Sequence, residues 1–145
     1  MPHTIERLLD VRTQHQSVLN AASRLITGVR LCDHITPVLQ QLLWLPVRRR
    51  VDYKVACLVH QSLSGHAPRY LTDDIDLVAD SGRRLGLLRS AYDRTFAVHR
   101  TYTSFHGSSF SVAGPRVWNV LPSSLRQDIS YGQFKPQLKT FLFRS

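Results

Sequence analysis

Asp73 and Asp74 are the adjacent carboxylates of this sequence that come nearest to a catalytic pattern. Polymerases hold two metal ions between paired aspartates that follow an aromatic residue on an apolar β-hairpin, because the metals need close carboxylate oxygens. Leu71 takes the place of the aromatic residue here, and the flanking segments are not apolar strands. The pair is therefore interpreted as a solvated acidic loop after the turn at Pro68. We predict no catalytic residue and no enzymatic activity.

Soft ligands of the kind that zinc prefers are present at four positions, Cys32, His34, Cys57 and His60. Cys57 and His60 stand one helical turn apart, but Cys32-x-His34 lacks the spacing of a known zinc finger. Cys57 also lies beside an apolar stripe, where a buried structural thiol is common. The chain has neither a G-x-S-x-G nucleophile motif nor a glycine loop that would hold a phosphate. We therefore predict no metal and no cofactor.

Positive charge is the main chemical character of the chain. Nineteen Lys and Arg stand against ten Asp and Glu, so the formal net charge is +9. Because guanidinium groups match phosphate oxygens in a planar fork, the predicted partner is RNA or DNA, bound weakly and with little sequence preference. Tyr92, Tyr102 and Phe105 could stack on bases. The candidate phosphate-binding residues are Arg48, Arg49, Arg50, Arg89, Arg100 and Arg116.

Three alternatives explain the same residues without a nucleic acid. In the first, arginine stems cover apolar surface and the aromatic rings pack in the core. In the second, the chain is a protein-interaction module that docks to a partner or to itself. Its docking face would be Ile5, Leu8, Val18 and Leu25, or Phe134, Leu138 and Phe141 near the end of the chain. In the third, the chain is a translated remnant without a selected role.

Length and composition indicate a globular protein. A chain of 145 residues, 43% of them hydrophobic, can bury a modest core as one compact unit or as part of one. Two cysteines fit a reducing compartment better than a secreted disulfide framework. No apolar run approaches the ~20 residues needed to span a bilayer, and the N-terminus has no signal-peptide pattern. We expect a soluble nuclear or cytoplasmic protein that is not secreted.

Apolar spacing predicts three helices in the first half of the chain. The first runs over 4–27 and ends at Gly28, since glycine readily takes the left-handed conformation of a helix C-terminus. A short helix begins at Thr36-Pro37, and a third begins at Pro46 and is stopped by Gly65. The apolar side of the third helix is predicted to be Val47, Val51, Val55, Leu58, Val59 and Leu63.

The second half of the chain has weaker signals. An acidic-to-basic linker is predicted over 73–90, and a short irregular β element over 85–112. Pro115 is expected to open a helix, and a terminal helix is expected after Ser130 and to be interrupted or restarted near Pro136. The predicted fold class is mostly α, a small helical domain with that β element. The strand residues are Phe96, Val98, Tyr102, Phe110 and Val112.

A set of short motifs covers nearly the whole chain. The motifs are His34-Ile35-Thr36-Pro37, Leu43-Trp44-Leu45-Pro46-Val47-Arg48, Tyr53-Lys54-Val55-Ala56, Ala67-Pro68-Arg69-Tyr70-Leu71, Leu88-Arg89-Ser90, Phe110-Ser111-Val112-Ala113-Gly114-Pro115-Arg116-Val117-Trp118-Asn119, Leu121-Pro122, Phe134-Lys135 and Leu138-Lys139-Thr140-Phe141-Leu142-Phe143. Together they resemble the C-terminal region of LINE-type non-LTR retrotransposon reverse transcriptases. Departures from the family pattern are His99-Arg100-Thr101, Gly107-Ser108-Ser109 and Pro136, as in a drifting copy.

The resemblance implies thumb and post-thumb helices that support the primer-template in the parent RNA-directed DNA polymerase. It also implies that the palm and its catalytic aspartates are missing from this chain. The predicted organisation is then a helical thumb-like segment over 1–72, a linker over 73–90 and a post-thumb segment over 91–145.

Overall fold

The structure of the chain is a computed structural model that describes residues 3–78, 94–98 and 109–144, with side chains from residue 11 onward. Across these ranges the chain is helical, and its β structure is one antiparallel bridge between Leu77 and Phe96. The predicted, mostly helical fold class is confirmed. None of the described helices is both long and apolar enough to cross a bilayer. The helices are α1 (His3–Thr27), α2 (Ile35–Gln41), α3 (Val47–Leu63), α4 (Arg69–Thr72), α5 (Phe110–Val120), α6 (Ser123–Arg126) and α7 (Tyr131–Arg144).

The chain divides into two compact units. Unit 1 consists of Met1–Val51 and Phe141–Ser145, and unit 2 consists of Asp52–Thr140. The division falls within α3 and within α7. The organisation predicted from the sequence, with a linker over 73–90, stays a prediction, since residues 79–90 lie outside the described ranges.

In unit 1, α1 packs against α2. α1 ends where predicted, because Gly28 has a φ of +71° and its N–H donates to the Arg24 carbonyl at 2.8 Å. The side chain of Leu19 is buried, together with Val38 and Leu39 of α2. The apolar spacing of α1 thus marks a helix correctly, while only part of its apolar surface is covered.

The bounds of α3 agree with the sequence prediction. The Arg50 N–H donates to the Pro46 carbonyl at 3.0 Å, and Gly65, with a φ of +71°, follows the last turn. The predicted apolar side is partly wrong, because Val51 and Leu58 are exposed. The buried side of α3 keeps Val59 from the prediction but otherwise consists of small and polar residues, and apolar spacing alone does not identify these. Its members are Ala56, Cys57, Val59, His60 and Ser62.

The predicted strand residues Phe110 and Val112 lie in a helix, so this part of the β prediction is wrong. Helix α5 begins after Ser109, whose carbonyl accepts the Ala113 N–H at 2.9 Å. Val112, Pro115 and Trp118 are buried at intervals of three, which is helical rather than strand spacing. Burial of this stripe overrides the local β preference of the aromatic and branched residues. Tyr102 falls outside the described residues.

Proline positions also differ from the sequence prediction. Pro115 lies in the middle of α5 rather than at its start, and α7 continues through Pro136 without a restart. The start of α7 agrees, because the Ser130 carbonyl accepts the Phe134 N–H at 2.9 Å. Phe134 and Leu138 are completely buried. Their packing in unit 2 compensates for the helix bond that Pro136 cannot donate.

Candidate functional site

A cavity of about 470 Å³ lies in unit 1 beside the first turn of α3. Three of the residues around it are arginines, contributed by two different helices. None of the described residues around it is acidic, so the cavity wall has a strongly positive character. The lining residues are Arg12, Thr13 and Gln16 from α1 and Pro46, Val47, Arg48 and Arg49 from the start of α3.

The Gln16 side chain fixes the geometry of this cavity. Its Oε1 accepts the Val47 N–H at 2.9 Å, and its Nε2 donates to Asn20 Oδ1 at 2.8 Å. The two hydrogen bonds orient the amide, and the first one joins α1 to the start of α3 within unit 1. The cavity therefore has a defined wall between the two helices.

The backbone adds to the positive potential of the cavity. The first N–H groups of a helix have no acceptor within the helix and carry the positive end of its dipole. In α3 the Arg50 N–H is bonded to the Pro46 carbonyl, and no acidic residue lies in the first turn. Arginines at this end of a helix cost a few tenths of a kcal/mol, and a bound anion would convert that repulsion into attraction.

The structure places some of the predicted phosphate-binding residues at this cavity. Arg48 and Arg49 line it, whereas Arg50 does not and donates from Nε to the Leu45 carbonyl at 3.0 Å. Arg116 is exposed on α5 in unit 2. Arg89 and Arg100 lie outside the described residues, as do the predicted stacking residues Tyr92, Tyr102 and Phe105. Two of the six candidates are therefore in the cavity.

Arg12 lines the cavity but was not among the residues predicted from the sequence. Its only local signal is the four-residue spacing to Gln16, which places both side chains on one face of α1. That face meets the start of α3 through the bond between Gln16 and Val47. Sequence periodicity does not show which helix start a given face will meet.

The potential zinc ligands Cys57 and His60 belong to the core of unit 2. The His60 ring is 6% exposed, and its Nε2–H donates to the Ile129 carbonyl at 2.9 Å. Its Nδ1 is buried without a hydrogen-bond partner, and the ring stacks on Phe134 with centroids 4.4 Å apart. Burial raises the pKa of the Cys57 thiol. Within the described ranges, no three His, Cys, Asp or Glu side chains are grouped as metal ligands.

The surroundings of His60 favour its neutral form. Burial lowers the pKa of the imidazole below its ordinary value of 6.5, and the positive charge of Arg94 lowers it further. The hydrogen bond to the Ile129 carbonyl and the charge of Asp128 oppose this shift without reversing it. Arg94 and Asp128 also pair with each other at 3.4 Å. His60 is therefore a neutral core residue that donates one hydrogen bond.

Comparisons with known proteins leave the family unassigned. No protein-family model matches the chain, and no curated protein or solved structure matches it either. The resemblance of its motifs to retrotransposon reverse transcriptases therefore stays a prediction. The acidic pair Asp73 and Asp74 is exposed after α4.

Proposed function

We propose that this chain derives from the C-terminal region of a LINE-type reverse transcriptase, catalyses no reaction by itself and binds RNA or DNA in the nucleus or cytoplasm. Its contacts would be to phosphates rather than to base edges, so binding would have little sequence preference. The observation that supports this proposal best is the convergence of Arg12, Arg48 and Arg49 on one cavity.

Electrostatics explains why the cavity suits a phosphate. Guanidinium groups remain charged at every physiological pH and donate two parallel hydrogen bonds to a pair of phosphate oxygens. Each phosphate that a protein neutralises releases condensed counterions, so affinity falls steeply as salt is added. For a single strand the slope of log affinity against log salt changes by about 0.7 per phosphate contact. Three arginines at one cavity should therefore account for a measurable part of the salt dependence of binding.

The proposal is tested with a triple variant, Arg12→Gln, Arg48→Gln and Arg49→Gln, in the full chain. Its matched control is Arg30→Gln, Arg69→Gln and Arg144→Gln, which removes the same charge from exposed positions. Affinity for single-stranded RNA and duplex DNA is measured over a salt series, after circular dichroism shows that each variant is helical. We expect the cavity variant to lower the single-strand salt slope by about 2 and the control to change it little.

Two results would contradict the proposal. If both triple variants lower the single-strand salt slope equally, net charge rather than the cavity drives binding. Absence of binding by the folded wild-type chain would leave protein docking, or a translated remnant without a selected role, as the remaining interpretations.

An exposed apolar stripe on α1 favours a second candidate function, docking to a protein. Val11, Val18 and Leu25 are 44%, 68% and 85% exposed, and they recur every seven residues, the spacing of a coiled-coil seam. The stripe proposed near the end of the chain is not available for docking, because Phe134 and Leu138 are completely buried. Salt separates the two functions, since apolar docking does not weaken as ions are added.

A further inference from the structure

The cavity is large enough to hold a phosphate group together with its nucleotide. Its volume of about 470 Å³ is within the ~300–1,000 Å³ of sites that enclose small ligands. Residues of α1 and residues at the start of α3 both line it.

The charge of the cavity favours the end of a strand over its middle. An internal phosphodiester carries one negative charge, while a terminal phosphomonoester carries about 1.5–2 at pH 7 and presents three acceptor oxygens. Arg12, Arg48 and Arg49 supply three guanidinium groups on the cavity wall. Arg12 and Arg48 alone bring two positive groups from two helices, which match the more highly charged, three-oxygen group better than the diester.

The remaining lining residues suit the nucleotide that carries such a phosphate. Thr13 and Gln16 are polar, and the Gln16 amide is held by its bonds to Val47 and Asn20. Pro46 and Val47 add an apolar wall against which a sugar or base can lie. We infer that the cavity bounded by Arg12, Arg48 and Arg49 binds the terminal phosphomonoester of an RNA or DNA strand. This inference rests on the proposed function and makes it more specific.

The test compares three versions of one internally labelled single-stranded RNA, with a 5′-phosphate, a 3′-phosphate or hydroxyl groups at both ends. Binding to the full wild-type chain is measured at constant salt. We expect at least one phosphorylated version to bind about tenfold tighter than the hydroxyl version, as hydrogen bonds between charged groups provide. The 5′ and 3′ versions show which kind of end the cavity takes.

Two variants then test whether the preference for a phosphorylated RNA end arises at this cavity. Arg12→Gln is expected to abolish the preference for a phosphorylated end, and Arg69→Gln, at an exposed position of unit 2, is expected to leave it unchanged. A preference that survives Arg12→Gln would overturn the assignment to this cavity. Equal, salt-dependent binding of all three RNAs would overturn the inference while leaving the proposed function intact. Absence of binding to any of them would overturn both.

Discussion

The buried imidazole of His60 combines one hydrogen bond with one orphaned nitrogen. The Nε2–H is satisfied by the Ile129 carbonyl, and Nδ1 is buried beside the stacked ring of Phe134 without a partner. Protonation would add a second N–H at Nδ1, where the structure supplies no acceptor. An unsatisfied buried donor costs about 1–3 kcal/mol, and more when it is charged. The folded state therefore disfavours protonated His60.

We expect His60 to make the folded state sensitive to mild acid. In the unfolded chain its pKa is near 6.5, and in the folded chain burial holds the pKa below that value. Above pH 6.5 the ring is neutral in both states, so its contribution to stability is complete. As the pH falls below about 6.5 the unfolded state takes up the proton first, and the free energy of unfolding decreases. Urea unfolding at a series of pH values between about 7 and 5 measures this change.

Two variants assign that pH dependence to one ring. His60→Gln keeps a donor for the Ile129 carbonyl but cannot be protonated, so we expect a loss of about 1–3 kcal/mol at pH 7 and a shallower decrease in acid. His66→Gln, at an exposed position, should retain the wild-type decrease. If the His60→Gln variant loses stability in acid as steeply as the wild type, other groups are responsible.

The residues of the candidate site illustrate what sequence can and cannot predict. Arg48 and Arg49 were predicted as phosphate-binding candidates because guanidinium groups match phosphate oxygens, and the structure places both at the cavity. Arg12 was missed, since its role depends on a contact between two helices. His60 was considered as a zinc ligand, because a histidine one turn from a cysteine has the same pattern whether it binds metal or packs in a core.

Helix ends were predicted well where a single residue decides the backbone conformation. Gly28 and Gly65 both have positive φ values, which L side chains adopt with difficulty, and the helices α1 and α3 end beside them. The α5 segment was not predicted as a helix from its start, because Phe110 and Val112 have local β preference and Pro115 suggests a helix start. Packing of Trp118 in unit 2 decides the conformation, and local signals do not contain that information.

Helices α5 and α7 each contain an interior proline, and the two prolines are expected to differ in their effect on stability. Pro136 is exposed on α7 and cannot donate the N–H that would reach the Gly132 carbonyl. An interior proline destabilises a helix by about 3 kcal/mol relative to alanine. Replacing it also stabilises the unfolded chain by about 0.4–1 kcal/mol, because the unfolded backbone gains conformational entropy. Allowing for its position near the start of α7, we expect Pro136→Ala to raise the free energy of unfolding by about 1–2 kcal/mol.

Pro115→Ala is the matched comparison for this prediction. Pro115 is also inside a helix, but it is completely buried in α5. Replacement would restore an N–H while removing packed ring atoms, so we expect no gain in stability. Denaturant midpoints of the two variants measure the difference. Destabilisation by Pro136→Ala would show that the backbone of α7 is adapted to its proline.

At the scale of the whole molecule, net charge and the apolar stripe of α1 act in opposite directions on self-association. A formal charge of +9 makes two copies of the chain repel each other at low salt. Val11, Val18 and Leu25 offer an exposed apolar seam whose contacts are not weakened by ions. Adding salt should therefore weaken binding to nucleic acid and strengthen pairing between copies.

We expect the chain to be monomeric at about 0.05 M salt and to associate partly at about 0.5 M, where charges more than a few ångströms apart are screened. Sedimentation equilibrium at both salt concentrations measures this change. Val18→Ser with Leu25→Ser should abolish the association, because each substitution removes exposed apolar surface from the seam. Tyr70→Ser with Val120→Ser removes apolar surface from exposed positions of unit 2 and should leave the association unchanged. If salt favours association equally in both double variants, screening of the basic surface explains it, and the α1 stripe is not a docking face.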